Sequence, residues 1–250
     1  MKHIDINVDL GEGCKNDRYI LEYVSSANIA CGFHAGSPAI MTDTVRLCIK
    51  NNVSIGAHPG YPDRVNFGRK KMELSYSELK SILLYQIGAL YAIVKSEGAQ
   101  MVHVKAHGAL YNSAGTDNEI ARSLVYATKE IDPGLVIFGP YGSKIEMEAK
   151  KENMAFSSEV FADRAYQSDG SLVPRTNPAA IIKDKDICAS RTLDMINNSY
   201  VLSLDNKKVK IIADTVCLHG DNEDALEFAK HLSAILKING LTIRAKRFQK

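Results

Sequence analysis

The sequence predicts an α/β protein built on a parallel β-barrel, and three observations support this fold class. A strand-like segment, a polar strand end and a helix-like segment follow one another seven times along the 250 residues. Helix N-cap signals open several of the helical segments, and acids, histidines and cations gather directly after the strands. A closed barrel brings all these strand ends onto one face, whereas an open doubly wound sheet, the alternative, would concentrate them at one switch point. Seven units instead of eight predict an irregular barrel.

The predicted strands are short segments rich in apolar and β-branched residues. They cover residues 3–10, 27–31, 53–57, a segment that begins at 101, and residues 135–138, 155–161 and 214–218. In the first strand the alternate residues Asp5, Asn7 and Asp9 are polar, which is unusual for a barrel with a wholly apolar interior.

The helices are predicted from their first residues and their apolar periodicity. Ser37 and Pro38 supply an N-cap and a first-turn proline for a helix towards residue 51. Ser75 with Glu78 forms a capping box, and we expect a second box of Thr116 with Glu119.

Three further segments complete the predicted chain. A helix begins at residues 177–178 and ends near 197–198, a hairpin joins 200–204 to 209–212, and the last helix covers about 222–238. No linker or low-complexity segment interrupts residues 1–250, so we predict one domain.

Composition limits the classes of function. The chain has 45% hydrophobic and 24% charged residues, a net charge of +2 and no Trp, which does not favour nucleic-acid or membrane-surface binding. No apolar run is long enough to cross a bilayer, and the N-terminal residues read directly as a strand, so we expect a cytoplasmic protein. Five cysteines without a CxxC pair favour neither a disulfide framework nor a structural zinc site.

The candidate site residues share a position after predicted strands. The clearest stretch is MVHVKAHGALYN at 101–112, where Lys105, His107, Gly108 and Tyr111 follow an apolar strand. The full set that one barrel mouth would collect is Asp9, Glu12, His34, His58, Asp63, Arg64, Lys105, His107, Asp163, Arg164, Arg175, His219 and Asp221.

Each of these residues also has a structural interpretation. Asp9 and Glu12 are candidate general bases or metal ligands, but an acid at a strand end also accepts backbone hydrogen bonds. His34 and His58 with Asp9 would make a three-ligand metal site, although no HExxH motif supports it. Lys105 suits a developing oxyanion or a phosphate, or a salt bridge to one of the acids. Walker A, GxGxxG and GxSxG motifs are absent from the sequence.

Seven motifs in a fixed order resemble the LamB/YcsF family. They are NVDLGEG, SSANIACGFHAG, IGAHPGYPD, HVKAHGALYN, FADRAY, LVPR and LHGD, and they extend over essentially the whole chain. The chain has Ala106 where the family pattern has proline, and the segment after Gly13 is shorter than usual. The resemblance implies an irregular seven-stranded barrel of the glycoside hydrolase/deacetylase type.

The resemblance also implies an activity: opening of the lactam 5-oxo-L-proline to L-glutamate, driven by ATP with Mg²⁺, together with two other 5-oxoprolinase subunits, B and C. A homo-oligomer is compatible with it. We assign catalytic roles to Asp9, Glu12, Lys105 and His107. The substrate-binding set is His34, His58, Asp63, Arg64, Tyr111, Asp163, Arg164, Tyr166, Arg175, His219 and Asp221. The alternatives are a metal-dependent amide deacetylase and a lactam-binding protein without catalysis of its own.

Overall fold

The computed structural model describes residues 2–14, 16–218 and 225–245. Its strands in chain order are β1 Lys2–Leu10, β2 Ser26–Ala30, β3 Ser54–His58, β4 Met101–Lys105, β5 Val136–Pro140, β6 Ala155–Phe161, β7 Tyr200–Leu202, β8 Lys208–Lys210, β9 Thr215–Leu218 and β10 Leu241–Ile243. Its helices are α1 Asp17–Ile20, α2 Pro38–Lys50, α3 Tyr76–Ser96, α4 Gly108–Thr116, α5 Asn118–Ile131, α6 Lys144–Lys151, α7 Lys185–Asn198 and α8 Ala225–Ile238.

Seven of the strands close into a parallel barrel. The order is β1, β2, β3, β4, β5, β6 and β9, and β9 pairs back with β1. Each of these pairings is parallel, so the carboxyl ends of all seven strands lie on one face of the barrel. The predicted irregular seven-stranded barrel is confirmed, and the open-sheet alternative is wrong.

The barrel interior is polar, as the alternation in the first strand indicated. In β1 the side chains of Ile6 and Val8 belong to the apolar core, whereas Asp5, Asn7 and Asp9 are buried polar groups. Asn7 donates a hydrogen bond of 2.9 Å to Glu159 of β6, a strand that does not pair with β1. Contacts between strands that are not neighbours cross the interior, so polar groups fill part of the barrel.

Most predicted helix signals agree with the structure, and two are wrong. Ser37 accepts a hydrogen bond from the backbone of Ile40, and Ser75 with Glu78 forms the predicted capping box. The box of Thr116 with Glu119 does not form, because Thr116 ends α4 and Asp117 caps α5. Asn177 caps only a 3₁₀ turn at Pro178–Ala180, and α7 begins at Lys185.

The hairpin of β7 and β8 agrees with its prediction. The sequence interpretation missed three short elements: α1, α4 and β10, the last of which pairs in parallel with the first residues of β1. Among the helices in the described residues, none combines the length and the apolar character that crossing a bilayer would need.

A glycine in β3 leaves room for a buried histidine of the barrel interior. A Cβ atom added at Gly56 would overlap the ring of His103, and the register of β3 with β4 shifts at this position. Gly56→Ala is therefore expected to lower the free energy of unfolding by about 2–3 kcal/mol through overpacking, measured by urea unfolding. Gly115→Ala is the matched control, because its added methyl meets only ordinary contacts inside α4. Equal stability of the two variants would contradict this packing.

Candidate active site

Five side chains at the carboxyl ends of the first four strands form the centre of the candidate site. Asp9 and Glu12 come from the end of β1, His34 follows β2, His58 ends β3 and His107 follows β4. The Oε1 atom of Glu12 lies 2.9 Å from His34 Nε2, 3.1 Å from His107 Nδ1 and 3.6 Å from His58 Nε2. His58 Nε2 also lies 3.4 Å from Asp9 Oδ2. The structure thus joins residues that are distant in the chain.

Backbone carbonyls fix the orientation of two of the imidazoles. His58 Nδ1 lies 2.8 Å from the carbonyl oxygen of Lys105, and His107 Nε2 lies 2.8 Å from that of Phe67. A carbonyl oxygen only accepts hydrogen bonds, so these two nitrogens carry hydrogen. The other ring nitrogens, His58 Nε2 and His107 Nδ1, face each other at 3.0 Å.

Burial and neighbouring charges shift the pKa values of the cluster residues in different directions. Burial opposes the charge of Glu12, but hydrogen bonds with His107 and His34 outweigh it and hold the pKa of Glu12 well below its usual value. Burial lowers the pKa of His34 to about 4 and also lowers that of His107. Burial acts in the same direction on His58, but Asp9 and Glu12 outweigh it and raise its pKa. His58 is therefore the imidazole of this cluster that best retains a proton near neutrality.

Lys105 is enclosed by polar groups of three other strands. Its Nζ atom lies 3.0 Å from Asp9 Oδ1, 2.9 Å from Glu159 Oε1, 3.2 Å from Asn7 Oδ1 and 2.9 Å from Cys217 Sγ. Burial disfavours the ammonium, but the contacts with Asp9, Cys217 and Glu159 outweigh it and keep the pKa of Lys105 well above its usual value. The lysine is thus a fixed buried cation that orients Asp9.

The sequence interpretation missed the interior partners of these residues. Asn28 donates a 2.8 Å hydrogen bond to Asp9 Oδ1, and Glu159, although it is buried inside the barrel, was not singled out. Polar residues at alternate positions of a strand could have indicated these partners. This pattern predicted polar interior residues in β1, and Ser157 and Glu159 repeat it in β6.

His103 is a buried histidine of β4. It makes the free energy of unfolding depend on pH. It donates a 2.7 Å hydrogen bond to Asn28 and stacks on Phe138. Burial, with Lys105 and His58 nearby, lowers its pKa to about 3, whereas the unfolded chain titrates near the ordinary value of about 6.5. As pH falls below about 6.5, the unfolded state binds the proton first, so the folded state loses stability down to about pH 3.

We therefore expect His103→Gln, which cannot titrate, to reduce the loss of unfolding free energy between pH 7 and pH 5 by about 2 kcal/mol relative to the original chain. Urea unfolding at both pH values measures this difference. The exposed His3 supplies the control, since His3→Gln should leave the pH dependence of the original chain in place. Parallel pH profiles for His103→Gln and the original chain would contradict the assignment.

Two predicted residues lie on the loop that follows β3. Asp63 accepts hydrogen bonds from the backbone and side chain of Asn66, and Arg64 donates to the carbonyl oxygens of Gly32 and Gly36. Both residues thus organise loops next to the cluster.

The predicted residues after β6 form a separate group. The Arg164 guanidinium is buried and donates to the carbonyl oxygens of Ala180 (3.2 Å) and Val173 (2.7 Å). Tyr166 accepts a hydrogen bond from the backbone of Phe161. Asp163 is half-buried beside them, and Arg175 is exposed.

Tyr111 is buried, and burial together with Glu159 raises its pKa well above the usual value. The two remaining candidates, His219 and Asp221, lie outside the described residues.

Four side chains of the described residues could hold a metal ion. Glu12, His34, His58 and His107 each offer a ligand atom, and these atoms all lie within 4.8 Å of one another. The sequence interpretation grouped His34 and His58 with Asp9; the structure places Glu12 and His107 beside them.

The fold and the site together define a class: parallel seven-stranded β/α barrels with a polar centre of carboxylates, imidazoles and a lysine at the strand ends. Within this class, the chain belongs to the LamB/YcsF family, whose model matches residues 4–249.

A relative and a solved structure agree with this family assignment, and a more distant structure shares the fold. The chain is 49% identical to the A subunit of 5-oxoprolinase from Geobacillus thermodenitrificans, over 99% of this chain and 98% of that protein. The crystal structure of a lactam utilization protein from Thermus thermophilus shares 43% identity at a TM-score of 0.91, with 98% of this chain and 100% of that chain covered. A family 4 carbohydrate esterase from Streptomyces lividans has a TM-score of 0.53 at 12% identity, with 97% and 91% covered, a likeness of fold alone.

Proposed function

We propose that this chain is a 5-oxoprolinase component that opens 5-oxo-L-proline to L-glutamate in a reaction coupled to ATP hydrolysis. The observation that carries the proposal is the 49% identity, over nearly the full length of both chains, to a protein named as the A subunit of 5-oxoprolinase. The clustered acids and imidazoles supply groups that such a reaction needs.

The chemistry explains why ATP is required. A lactam is a stable amide, so its carbonyl needs activation before water attacks. If ATP phosphorylates the amide oxygen, a first water adds to the ring carbon and the carbon–nitrogen bond opens, which leaves an acyl phosphate. A second water hydrolyses this acyl phosphate to the carboxylate and free phosphate. The nitrogen takes up a proton and becomes the amine of glutamate.

In this proposal Asp9 is the general base that activates water. The Oδ1 atom of Asp9 is held by Lys105 and Asn28, which leaves Oδ2 directed towards His58. Glu12 is less suited to this role, because its hydrogen bonds with His107 and His34 stabilise the charged form and lower its pKa. After it has taken the proton from water, Asp9 is also the candidate donor of the proton to the leaving nitrogen.

The cation that holds the substrate carboxylate or the phosphate needs a free donor group. The ammonium of Lys105 already contacts Asp9 and Glu159, and the guanidinium of Arg164 contacts backbone carbonyls. Arg175 is exposed, and its charge adds to the effect of burial in lowering the pKa of Arg164, so the two guanidinium groups are near each other. We assign the binding role to Arg175 and positioning roles to Lys105 and Arg164.

The partner subunits B and C complete the proposed enzyme. Because the sequence has no Walker A or GxGxxG motif, we assign ATP binding with Mg²⁺ and the phosphorylation step to these partners. The complex would act in the cytoplasm, where ATP is available.

Reconstitution tests the proposal. The chain is mixed with subunits B and C, 5-oxo-L-proline, ATP and Mg²⁺, and glutamate and ADP are measured separately. We expect glutamate to form only when all components are present. Glutamate formation at the full rate by B and C without this chain would overturn the proposal.

A second candidate, metal-dependent deacetylation of an amide, is favoured by the three imidazoles beside Glu12. It predicts amide hydrolysis by this chain alone, without ATP and with loss of activity on chelation. A third candidate, a lactam-binding protein without catalysis of its own, predicts that B and C keep their chemistry when Asp9 is replaced.

A further inference from the structure

We propose that Glu12, His34, His58 and His107 form a binding site for one divalent transition-metal ion of the zinc type. Three imidazole nitrogens and one carboxylate oxygen suit Zn²⁺ and its neighbours, whereas Mg²⁺ prefers an all-oxygen shell. This metal ion is distinct from the Mg²⁺ that accompanies ATP, and its site is formed by this chain alone.

The lone pairs of two imidazoles point into the space between the four side chains. Since His58 Nδ1 and His107 Nε2 donate to carbonyl oxygens, the neutral rings direct lone pairs from His58 Nε2 and His107 Nδ1 towards each other across 3.0 Å. The carboxylate oxygen Oε1 of Glu12 faces the same space, 3.1 Å from His107 Nδ1 and 3.6 Å from His58 Nε2. Facing acceptors repel, so a positive ion belongs between them.

Two of the histidines also make the outer hydrogen bonds that are typical of metal ligands. Metal-binding histidines usually donate their other ring N–H to a backbone carbonyl or a carboxylate, which fixes tautomer and orientation. His58 and His107 both have this arrangement, with the carbonyls of Lys105 and Phe67 as acceptors.

Close packing holds the imidazole rings in place. The ring of His34 stacks on that of His107 with centroids 3.8 Å apart. Gly60 and Gly68 pack the loop after β3 closely over the rings, because a Cβ atom at either glycine would lie under 3.0 Å from His34. His34, His58 and His107 are nearly fully buried, and the Glu12 side chain is 6% exposed, so the four ligands are shielded from solvent.

A proton is the competing occupant. A proton on one imidazole would form a hydrogen bond between His58 and His107. Such a proton links only two donor atoms, whereas a metal ion binds all four at once. The two occupants make opposite predictions for metal uptake, so the experiment separates them.

The test uses the full chain without partner subunits, stripped with a chelator and titrated with Zn²⁺ and, separately, with Mg²⁺ in a calorimeter. We expect one equivalent of Zn²⁺ to bind, a rise in the unfolding temperature, and no comparable binding of Mg²⁺. Glu12→Gln and His107→Asn should weaken Zn²⁺ binding by at least about 100-fold. Glu73→Gln and His3→Gln, at exposed positions, are matched controls that should bind normally.

Co²⁺ provides a measurement on the unmodified chain in case a ligand variant fails to fold. One equivalent of Co²⁺ should give visible absorption bands of an imidazole-bound ion, and Zn²⁺ should abolish them. No stoichiometric Zn²⁺ uptake by the folded chain, preference for Mg²⁺, or unchanged uptake by folded Glu12→Gln and His107→Asn would each overturn the proposal. None of these outcomes depends on lactam turnover, so the proposed function is tested separately.

Discussion

Asp9→Asn is expected to reduce glutamate formation by the reconstituted complex by about 10²–10⁴-fold, the range for removal of a general base. The amide oxygen of asparagine can still accept the hydrogen bonds that Lys105 and Asn28 donate to Asp9 Oδ1, and Glu159 still pairs with the Lys105 ammonium. The amide cannot take a proton from water. The rate of glutamate formation at saturating 5-oxo-L-proline measures the effect.

The matched control for this variant is Asp43→Asn, which makes the same chemical change at an exposed position of α2. It should leave the rate unchanged. Near-normal turnover by a folded Asp9→Asn protein would show that Asp9 is not the base, and it would favour a binding role for this chain.

Lys105→Met is expected to lower the free energy of unfolding by about 3–5 kcal/mol, the usual cost of removing one partner of a buried ion pair. The substitution keeps most of the side-chain volume but leaves the carboxylates of Asp9 and Glu159 buried without the ammonium that now lies about 3 Å from each. Because Asp9 loses its orienting contact, turnover should fall as well. Urea unfolding and the reconstituted assay measure the two effects.

A second substitution distinguishes charge from packing. Adding Glu159→Gln to Lys105→Met removes one of the unpaired charges and should recover part of the lost stability. Lys80→Met removes the ion pair with Glu130 on the surface and should leave stability nearly unchanged. If Lys105→Met and Lys80→Met had equal effects, the buried lysine would not have the structural role assigned to it.

The barrel and the position of its site could be predicted because both depend on local signals. Strand patterning, polar strand ends and the N-cap at Ser37 are readable within a few residues. Parallel topology then brings Asp9, His58 and His107 together without further information, since the strand ends of a barrel converge.

The roles of individual residues depended on partners that are distant in the chain. Lys105 looked equally suited to an oxyanion or a salt bridge, and only the contact with Glu159, in another strand, shows an enclosed ion pair. Arg164 resembled a substrate ligand, but its loop folds so that backbone carbonyls surround the guanidinium. Thr116 and Asp117 are both good N-cap residues, and the neighbouring helix α4 decides between them.

The most direct test of the account is a structure of the reconstituted complex with 5-oxo-L-proline bound. We expect the lactam at the carboxyl ends of the barrel strands, with its carbonyl carbon placed for attack by a water molecule that contacts Asp9 Oδ2 within about 3–3.5 Å. A lactam bound entirely within one of the partner proteins, away from Asp9 and His58, would contradict the account.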